Sequence, residues 1–369
     1  MSKTITITRR VKIFVAEQDA QQKKDYIHTI YMWRDAVRKA ANMVVAHKFC
    51  QQNIKDFVYL KDEIKEKFYV KDILKEGKGM SEQNTTYRVL SDMLKGTGVR
   101  SDMITCLNQA IANTFKKTYS DIFRGKASVC SYKNNIQMPF SGKNLNSIKW
   151  SEEDKRYYFT LFNIPFGISL GKDRSNNKVI IERCLSGEYK FCGSAIMIDD
   201  NAKCFYLYMT VQLPVEDNKL DSNKTCFAIL SMANPIVAQI DDSSWTYEIG
   251  TAEEFTYRRR QIQEALKRAQ INAKYSVGGK GRKRKCQAIE RFEDKENNYV
   301  RTKMHEYSRR LIDYAVKNGC GVIHLLANKE QSEKDKGEEL LLRNWSYHGL
   351  REMIAYKCKK AGIELKYDK

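Results

Sequence analysis

Residues 257–310 hold 17 Lys or Arg against 6 Asp or Glu, so +11 of the chain's formal +20 sits in 54 of its 369 residues. The dense parts are Tyr257-Arg258-Arg259-Arg260 and Lys280-Gly281-Arg282-Lys283-Arg284-Lys285, with Lys267, Arg268 and a Gly278-Gly279 turn between them. Guanidinium and ammonium groups on a helix–loop–helix can follow a line of phosphates and release its condensed counterions. Arg258, Arg259, Arg260, Lys267, Arg268, Lys280, Arg282, Lys283, Arg284 and Lys285 are therefore candidate phosphate contacts. A charge run can also be no more than a solvated helix face. The clustering and the size of the net charge favour a polyanionic partner, and nucleic acid is the commonest.

A second polar group is Gln83-Asn84-Thr85-Thr86-Tyr87-Arg88, with Arg100 beyond it. Amide, hydroxyl and guanidinium groups of this kind can read base edges, which makes Gln83, Asn84, Thr85, Tyr87, Arg88 and Arg100 candidate DNA readers. An ordinary helix start capped by Asn or Thr explains the same residues at least as well. Other chemistries find less support. The ten cysteines are scattered, no two closer than eight residues, so no zinc ribbon or redox pair can be read. Most are expected to be small buried hydrophobes in a reducing cytosol. The five histidines have no ligand spacing, and His324, in an apolar strand, reads as a core histidine. No metal and no cofactor is expected.

These groups need elements to position them. With 42% apolar and 30% charged residues the chain is globular, of a length for two or three domains. No apolar run approaches the ~18 to 20 residues of a membrane span. Met1 to Thr8 alternates like a strand and lacks a signal-peptide block, so a cytoplasmic protein without membrane contact is expected. Residues 4–15 read as one strand, and residues 21–119 as helices. Tyr26, Ile30, Trp33, Val37 and Ala41 mark one apolar stripe; Ile104, Leu107, Ile111 and Phe115 mark another after a Ser101-Asp102 cap. Glu76 to Gly79 and Gly96 to Gly98 read as loops between them.

From Ile136 to Pro214 the texture changes to short β-like runs, among them 157–162, 178–181 and 204–211. They suggest a small barrel or sandwich that the first strand could join, with the helical block inserted. After a polar linker at 215–223 come three strands in hairpin succession, two helices, the apolar strand 321–326, a helix near 346–360 and a last strand at 363–365. Three antiparallel strands followed by parallel crossovers is the order of an RNase H-like domain.

The stretch from Thr225 onward resembles the RuvC-type nuclease domain of TnpB, the transposon-encoded RNA-guided nuclease related to compact type V CRISPR effectors. The most specific pieces are Leu342-Arg343-Asn344-Trp345-Ser346-Tyr347, then Leu350, Met353-Ile354-Ala355-Tyr356-Lys357 and Lys360-Ala361-Gly362-Ile363-Glu364. The basic helix pair, Phe123-Arg124-Gly125 and Ser131-Tyr132-Lys133 are similar too, and the resemblance covers nearly the full length. It implies an α+β multidomain chain: a wedge β-barrel split over 1–20 and 120–215, a helical recognition lobe over 21–119, and a C-terminally truncated RuvC domain over 220–369. The basic helix pair, 251–318, is inserted in the last.

The resemblance fails where catalysis would be. The family places an aspartate in the first hairpin, where the register of Asn234-Pro235 puts Ile229. It places a glutamate at the end of the fourth strand, where Leu326 stands, or His324 if the register slips. The third aspartate and a paired-cysteine ribbon should follow the last strand, and the chain ends at Lys369. Two-metal phosphodiester hydrolysis needs carboxylates to hold its Mg²⁺ ions, and aliphatic side chains offer no oxygen. Asp241, Asp242 and Glu330 lie near in sequence and read as solvated turn carboxylates.

What the resemblance then implies is a TldR-type protein, a nuclease-dead TnpB relative of bacteria. Its partners would be a guide RNA and double-stranded target DNA beside a short flanking motif, with a second protein copy left open. The basic helix pair would hold guide RNA or heteroduplex phosphates, and the 83–100 group would read the flanking motif. The expected function is repression of transcription by guided occupancy of a promoter. An active nuclease and a nonspecific RNA-binding remnant are the alternatives.

Overall fold

The first element is the strand β1 (Thr4–Val15), whose Ile5, Ile7, Val11, Ile13 and Val15 alternate into the core. The computed structural model describes residues 4–58, 81–173, 175–216, 218–231, 234–241, 243–251, 253–275, 281–326 and 347–368. Two compact units divide the chain, residues 6–213 and residues 214–369 with the first five.

In the N-terminal unit, helix α1 (Ala20–Val58) buries Ile30, Trp33, Val37 and Ala41 of the expected stripe, while Tyr26 at its start is half-buried. Helix α2 (Glu82–Met93) is capped by Ser81, whose side chain accepts from the Asn84 amide. Helix α3 (Ser101–Phe123) buries Ile104, Leu107, Ile111 and Phe115. Its cap position is Arg100 rather than Ser101 or Asp102, and the Arg100 side chain makes no capping bond. Asp102 instead accepts from the Ser141 amide at 2.8 Å and Asn144 Nδ2 at 3.0 Å, tying α3 to the strand region.

The strands β2 (Met138–Phe140), β3 (Lys149–Ser151), β4 (Arg156–Leu161), β5 (Ile164–Ser169), β6 (Lys190–Phe191), β7 (Ser194–Asp199) and β8 (Cys204–Pro214) join β1 in one sheet. Its order is β2-β7-β8-β1-β5-β4-β3, with β6 on β8. The first strand therefore joins this sheet, as expected, and sits in its interior between β8 and β5, and the expected helical and strand blocks share one unit. Gly167 faces Phe14 across β1 and β5, and a Cβ there would meet the Phe14 ring at 2.3 Å. Residues 178–181, expected as a β-like run, belong instead to helix α4 (Asn177–Leu185). Asp173 overrides the β preference of Val179-Ile180-Ile181 by accepting from the amides of Asn177 and Lys178, at 2.9 and 2.8 Å.

The C-terminal unit carries β9 (Asp221–Leu230), β10 (Ile236–Ile240) and β11 (Thr246–Ile249) as antiparallel neighbours. A π-helical turn (Glu253–Tyr257) leads into α5 (Arg258–Tyr275) and α6 (Gly281–Lys317), then β12 (Cys320–Leu326), α7 (Tyr347–Ala361) and β13 (Glu364–Tyr367). The sheet order is β11-β10-β9-β12-β13, and β12 is parallel to both β9 and β13. This is the topology expected of an RNase H-like sheet. Cys226, Ala228, Ile236, Ile323 and Leu325 of the sheet pack with Tyr307 and Leu311 of α6 and Leu350, Ile354 and Cys358 of α7. Gly250, at φ +81°, makes the turn out of β11, where a Cβ would lie 2.7 Å from the Tyr307 ring. Cys226 and Cys358 are buried, which pushes both thiols up to about 12 and leaves them inert. Five of the ten cysteines are buried, fewer than expected, while Cys50 and Cys130 are exposed. No described helix is long and apolar enough to cross a membrane.

Candidate nucleic-acid interface

From the π-helical turn into α5 the buried row runs Phe255, Arg259, Ile262 and Leu266. Arg258, Arg260, Lys267 and Arg268 stand on the exposed side, as a phosphate-tracking face requires. Arg258 Nη1 donates to Gln261 Oε1 at 2.8 Å, and Arg268 Nε reaches the Glu264 carbonyl at 3.4 Å. On α6 the exposed cations Arg291, Lys295 and Arg301 add to this set. The sequence reading missed them because they are spaced singly rather than in runs.

Arg259 is a correction. It is fully buried, its Nε 3.2 Å from Glu296 Oε1 on α6, while Gln263 Nε2 donates to the same oxygen at 3.0 Å. Its guanidinium also lies over the Phe255 ring at 5.1 Å. Burial pulls its pKa below the ordinary arginine value, and Glu296 opposes that shift. The residue clamps α5 to α6 and presents nothing to a phosphate. The signal was in the spacing: Arg259 lies four residues after Phe255 and three before Ile262, on the apolar row itself.

Lys280 lies outside the described residues, as does the Gly278-Gly279 turn. Arg282, Lys283, Arg284 and Lys285 stand on the first turns of α6, and their side chains are outside the described ones.

In the N-terminal unit, Asn84 and Arg88 are exposed, four residues apart on one face of α2, and Gln83, Thr85 and Tyr87 are half-buried beside them. Thr85 Oγ1 donates to the Ser81 carbonyl at 3.1 Å, a local helix bond. The Gln83 carbonyl accepts from the buried Asn108 at 2.9 Å, which seats α2 on α3. Arg100 is exposed and lines a cavity of about 480 Å³ with Ser91, Lys95, Gly98 and Ser101.

The two positions where the resemblance expects catalytic carboxylates come together. Leu326 is the register partner of Ile229 across the parallel pair β12 and β9, and Val237 faces Ile229 from β10. Two residues back along both strands, His324 is the partner of Phe227, their rings 5.6 Å apart. His324 Nε2 lies 2.8 Å from Asp368 Oδ1, so its neighbours are an aromatic ring and one carboxylate. Asp241 is exposed and bonds to Thr225, four residues along β9 from Ile229, which is ~13 Å at strand rise. Asp242 and Glu330 lie outside the described residues, as do Leu342 to Ser346 and the loop at 76–79. The residues present at 229, 237 and 326 offer no oxygen to a divalent ion and do not fit one. Among the described residues no three or more His, Cys, Asp or Glu side chains are grouped to hold a metal.

The fold thus defines a two-unit α/β protein with an RNase H-like sheet and a basic helix pair inserted in it. The comparisons narrow the kinship further. The chain is 29% identical over 265 residues to the CRISPR-associated endodeoxyribonuclease Cas12f1 of Sulfoacidibacillus thermotolerans, covering 68% of this chain and 61% of the relative. It is 28% identical over 200 residues to the Cas12f1 of Syntrophomonas palmitatica, covering 51% and 39%. The chain therefore spans about three-fifths or less of the length of these curated relatives. Its fold is that of a chain in the cryo-EM structure of the Cas12f1–sgRNA–target DNA complex, with a TM-score of 0.67 over 99% of this chain and 89% of that one, at 14% identity. No protein-family model matches.

Proposed function

We propose that this protein is an RNA-guided DNA-binding protein that does not cut its target and represses transcription by occupying a promoter. The observation that carries the reading is the pairing of Ile229 with Leu326 on adjacent central strands. The resemblance to TnpB puts metal-binding carboxylates at those two positions, and hydrolysis by metal-activated water has nothing to start from there. Binding has what it needs. The exposed cations of α5 and α6 suit the phosphates of guide RNA and of an RNA–DNA heteroduplex. Sequence would be read by guide pairing, and the protein would read a short flanking motif. Asn84 and Arg88, with Gln83, Thr85, Tyr87 and Arg100, are our assignment for that motif.

In this reading the sheet and helices of residues 6–213 serve as wedge and recognition lobe, and residues 214–369 as a RuvC-like body without cleavage. The partners are a guide RNA and double-stranded DNA, with a second copy of the chain as a further candidate, and the place of action is the cytoplasmic nucleoid. The name endodeoxyribonuclease on both curated relatives favours the rival, an active guided nuclease. One preparation separates the two: protein purified from cells expressing its native locus, with copurifying RNA sequenced. A single RNA with a constant scaffold and a short variable end supports guided binding. A mixture of unrelated fragments overturns it. Incubating that complex with matched duplex and Mg²⁺ should leave the DNA intact but bound; cut DNA would establish the nuclease.

A further inference from the structure

A cavity of about 390 Å³ in the N-terminal unit lies between the β3–β4 hairpin, the end of β5 and the start of α4. None of the sites above uses it. Trp150, Ile168 and Leu170 give it an apolar wall, and Lys155 and Lys178 give it two exposed cations; Arg156 also lines it, but its guanidinium is turned to the Phe14 ring, 5.5 Å from the ring centre. The wall is held from behind. Trp150 packs against Tyr157 with ring centroids 4.8 Å apart, and the Tyr157 hydroxyl donates to Glu182 Oε1 at 3.1 Å. Lys178 Nζ lies 3.8 Å from that same oxygen and 4.8 Å from the centre of the Trp150 ring. The one carboxylate in the lining, Asp173, is turned to the α4 amides that it caps.

An aromatic wall beside two exposed cations is complementary to a flat π-system that carries negative charge. A volume near the low end for ligand pockets suits one such unit rather than a length of strand. The charge of the chain as a whole, +20, selects the same kind of partner. We propose that this cavity holds a single unpaired nucleotide, its base against Trp150 and its phosphate between Lys155 and Lys178. Lys178 rests on the indole and pairs with Glu182. Its long, exposed side chain would exchange both for the phosphate and cede the ring face to the base. The nucleotide can come from an RNA strand or from an unpaired DNA strand; only its assignment to a guide or to a displaced strand rests on the guided-binding reading.

Titration of the full chain with adenosine 5′-monophosphate and with its 2′-deoxy counterpart tests this, following tryptophan emission excited at 295 nm. The expected result is saturable quenching that Trp150→Phe abolishes and that Trp245→Phe, the exposed tryptophan of the other unit, leaves in place. The Lys155→Ala/Lys178→Ala double variant, which changes only exposed side chains, should raise the half-saturating concentration about ten-fold. Tighter binding of the ribonucleotide places the occupant on RNA, and equal or tighter binding of the deoxynucleotide places it on DNA. Absence of saturable quenching by either, or quenching that survives Trp150→Phe or ignores the lysine pair, overturns the proposal. The assay needs no guide, so a failure to recover a discrete RNA from cells would overturn guided binding and leave this result standing.

Discussion

The sheet and the inserted helix pair of the C-terminal unit handle charge in opposite ways. At the centre of the sheet, Ile229, Val237 and Leu326 adjoin one another where a metal-dependent nuclease would concentrate negative charge. Aliphatic and β-branched neighbours suit adjacent strands. On the helix pair, cations are dense, and one of them, Arg259, is withdrawn into the interface with Glu296. The contrast separates two kinds of position. Half-buried sheet positions accept aliphatic side chains readily, whereas members of a basic run differ according to which one is buried.

The largest effect expected is on that buried pair. Glu296→Ala leaves Arg259 charged and uncompensated, and should cost about 3–5 kcal/mol in urea unfolding. Arg260→Ala, one residue along and exposed, should stay within about 0.5 kcal/mol of the wild type. Equal losses at the two sites would mean that the run is a single surface feature and that Arg259 has no special place.

A smaller cost should follow from returning carboxylates to the sheet. Ile229→Asp and Leu326→Glu each place a charge on a half-buried strand position, for about 1–3 kcal/mol apiece. Because the two residues are register partners on strands ~4.8 Å apart, the double variant should also gain a thermal response to millimolar Mg²⁺ that neither the wild type nor either single variant shows. No metal response in the double variant would show that the two positions do not share a face.

Much of this arrangement was legible because it rests on periodicity. The period-2 strands, the apolar stripe of α1 and the β-β-β-α-β-α-β order all follow from local pattern, while Ile229 and Leu326 are singled out by the resemblance and found paired in the structure. What was not legible depended on partners distant in sequence. Arg259 reads as one more cation until Glu296, 37 residues away, is brought to it. Residues 178–181 read as a strand until Asp173 supplies the cap that turns them helical. The cavity by Trp150 needs three segments to converge, 150–157, 168–173 and Lys178, none of which carries a motif alone.

For the exposed cations, the effect lies in binding rather than folding. Replacing Arg258, Arg260, Lys267 and Arg268 by alanine together should leave the unfolding midpoint nearly unchanged while weakening duplex and RNA binding. The slope of log affinity against log salt should shrink by about 0.9 for each phosphate that the variant no longer neutralises. The same reasoning applies to alanine replacement of Lys280 to Lys285. An unchanged slope in either variant would remove that segment from the interface.

The smallest effect concerns a half-buried cation, Lys357 on α7, which has no ion pair with a carboxylate among the described residues. Its Nζ donates to the His305 carbonyl and, at 2.7 Å, to Ser308 Oγ. Burial, and then the nearby Arg309, pull its pKa down to about 8, with Asp313 opposing. An unfolded lysine titrates at about 10.4. Below pH 8 the ammonium is charged in both states, and the cost of burying it is present in full. Between pH 8 and about 10.4 the unfolded chain holds a proton that the folded chain has released, so the stability associated with this residue rises with pH. Lys357→Met keeps the apolar stem and removes the charge, so it should exceed the wild type in stability at pH 7 and lose that lead as pH approaches 10. Tyr307 and the other buried tyrosines titrate in both proteins and cancel from the difference. Paired urea midpoints across that range would read it. A lead that stays constant would mean that the Lys357 ammonium reaches water, and that only the carboxylate-paired cation of this unit is held inside.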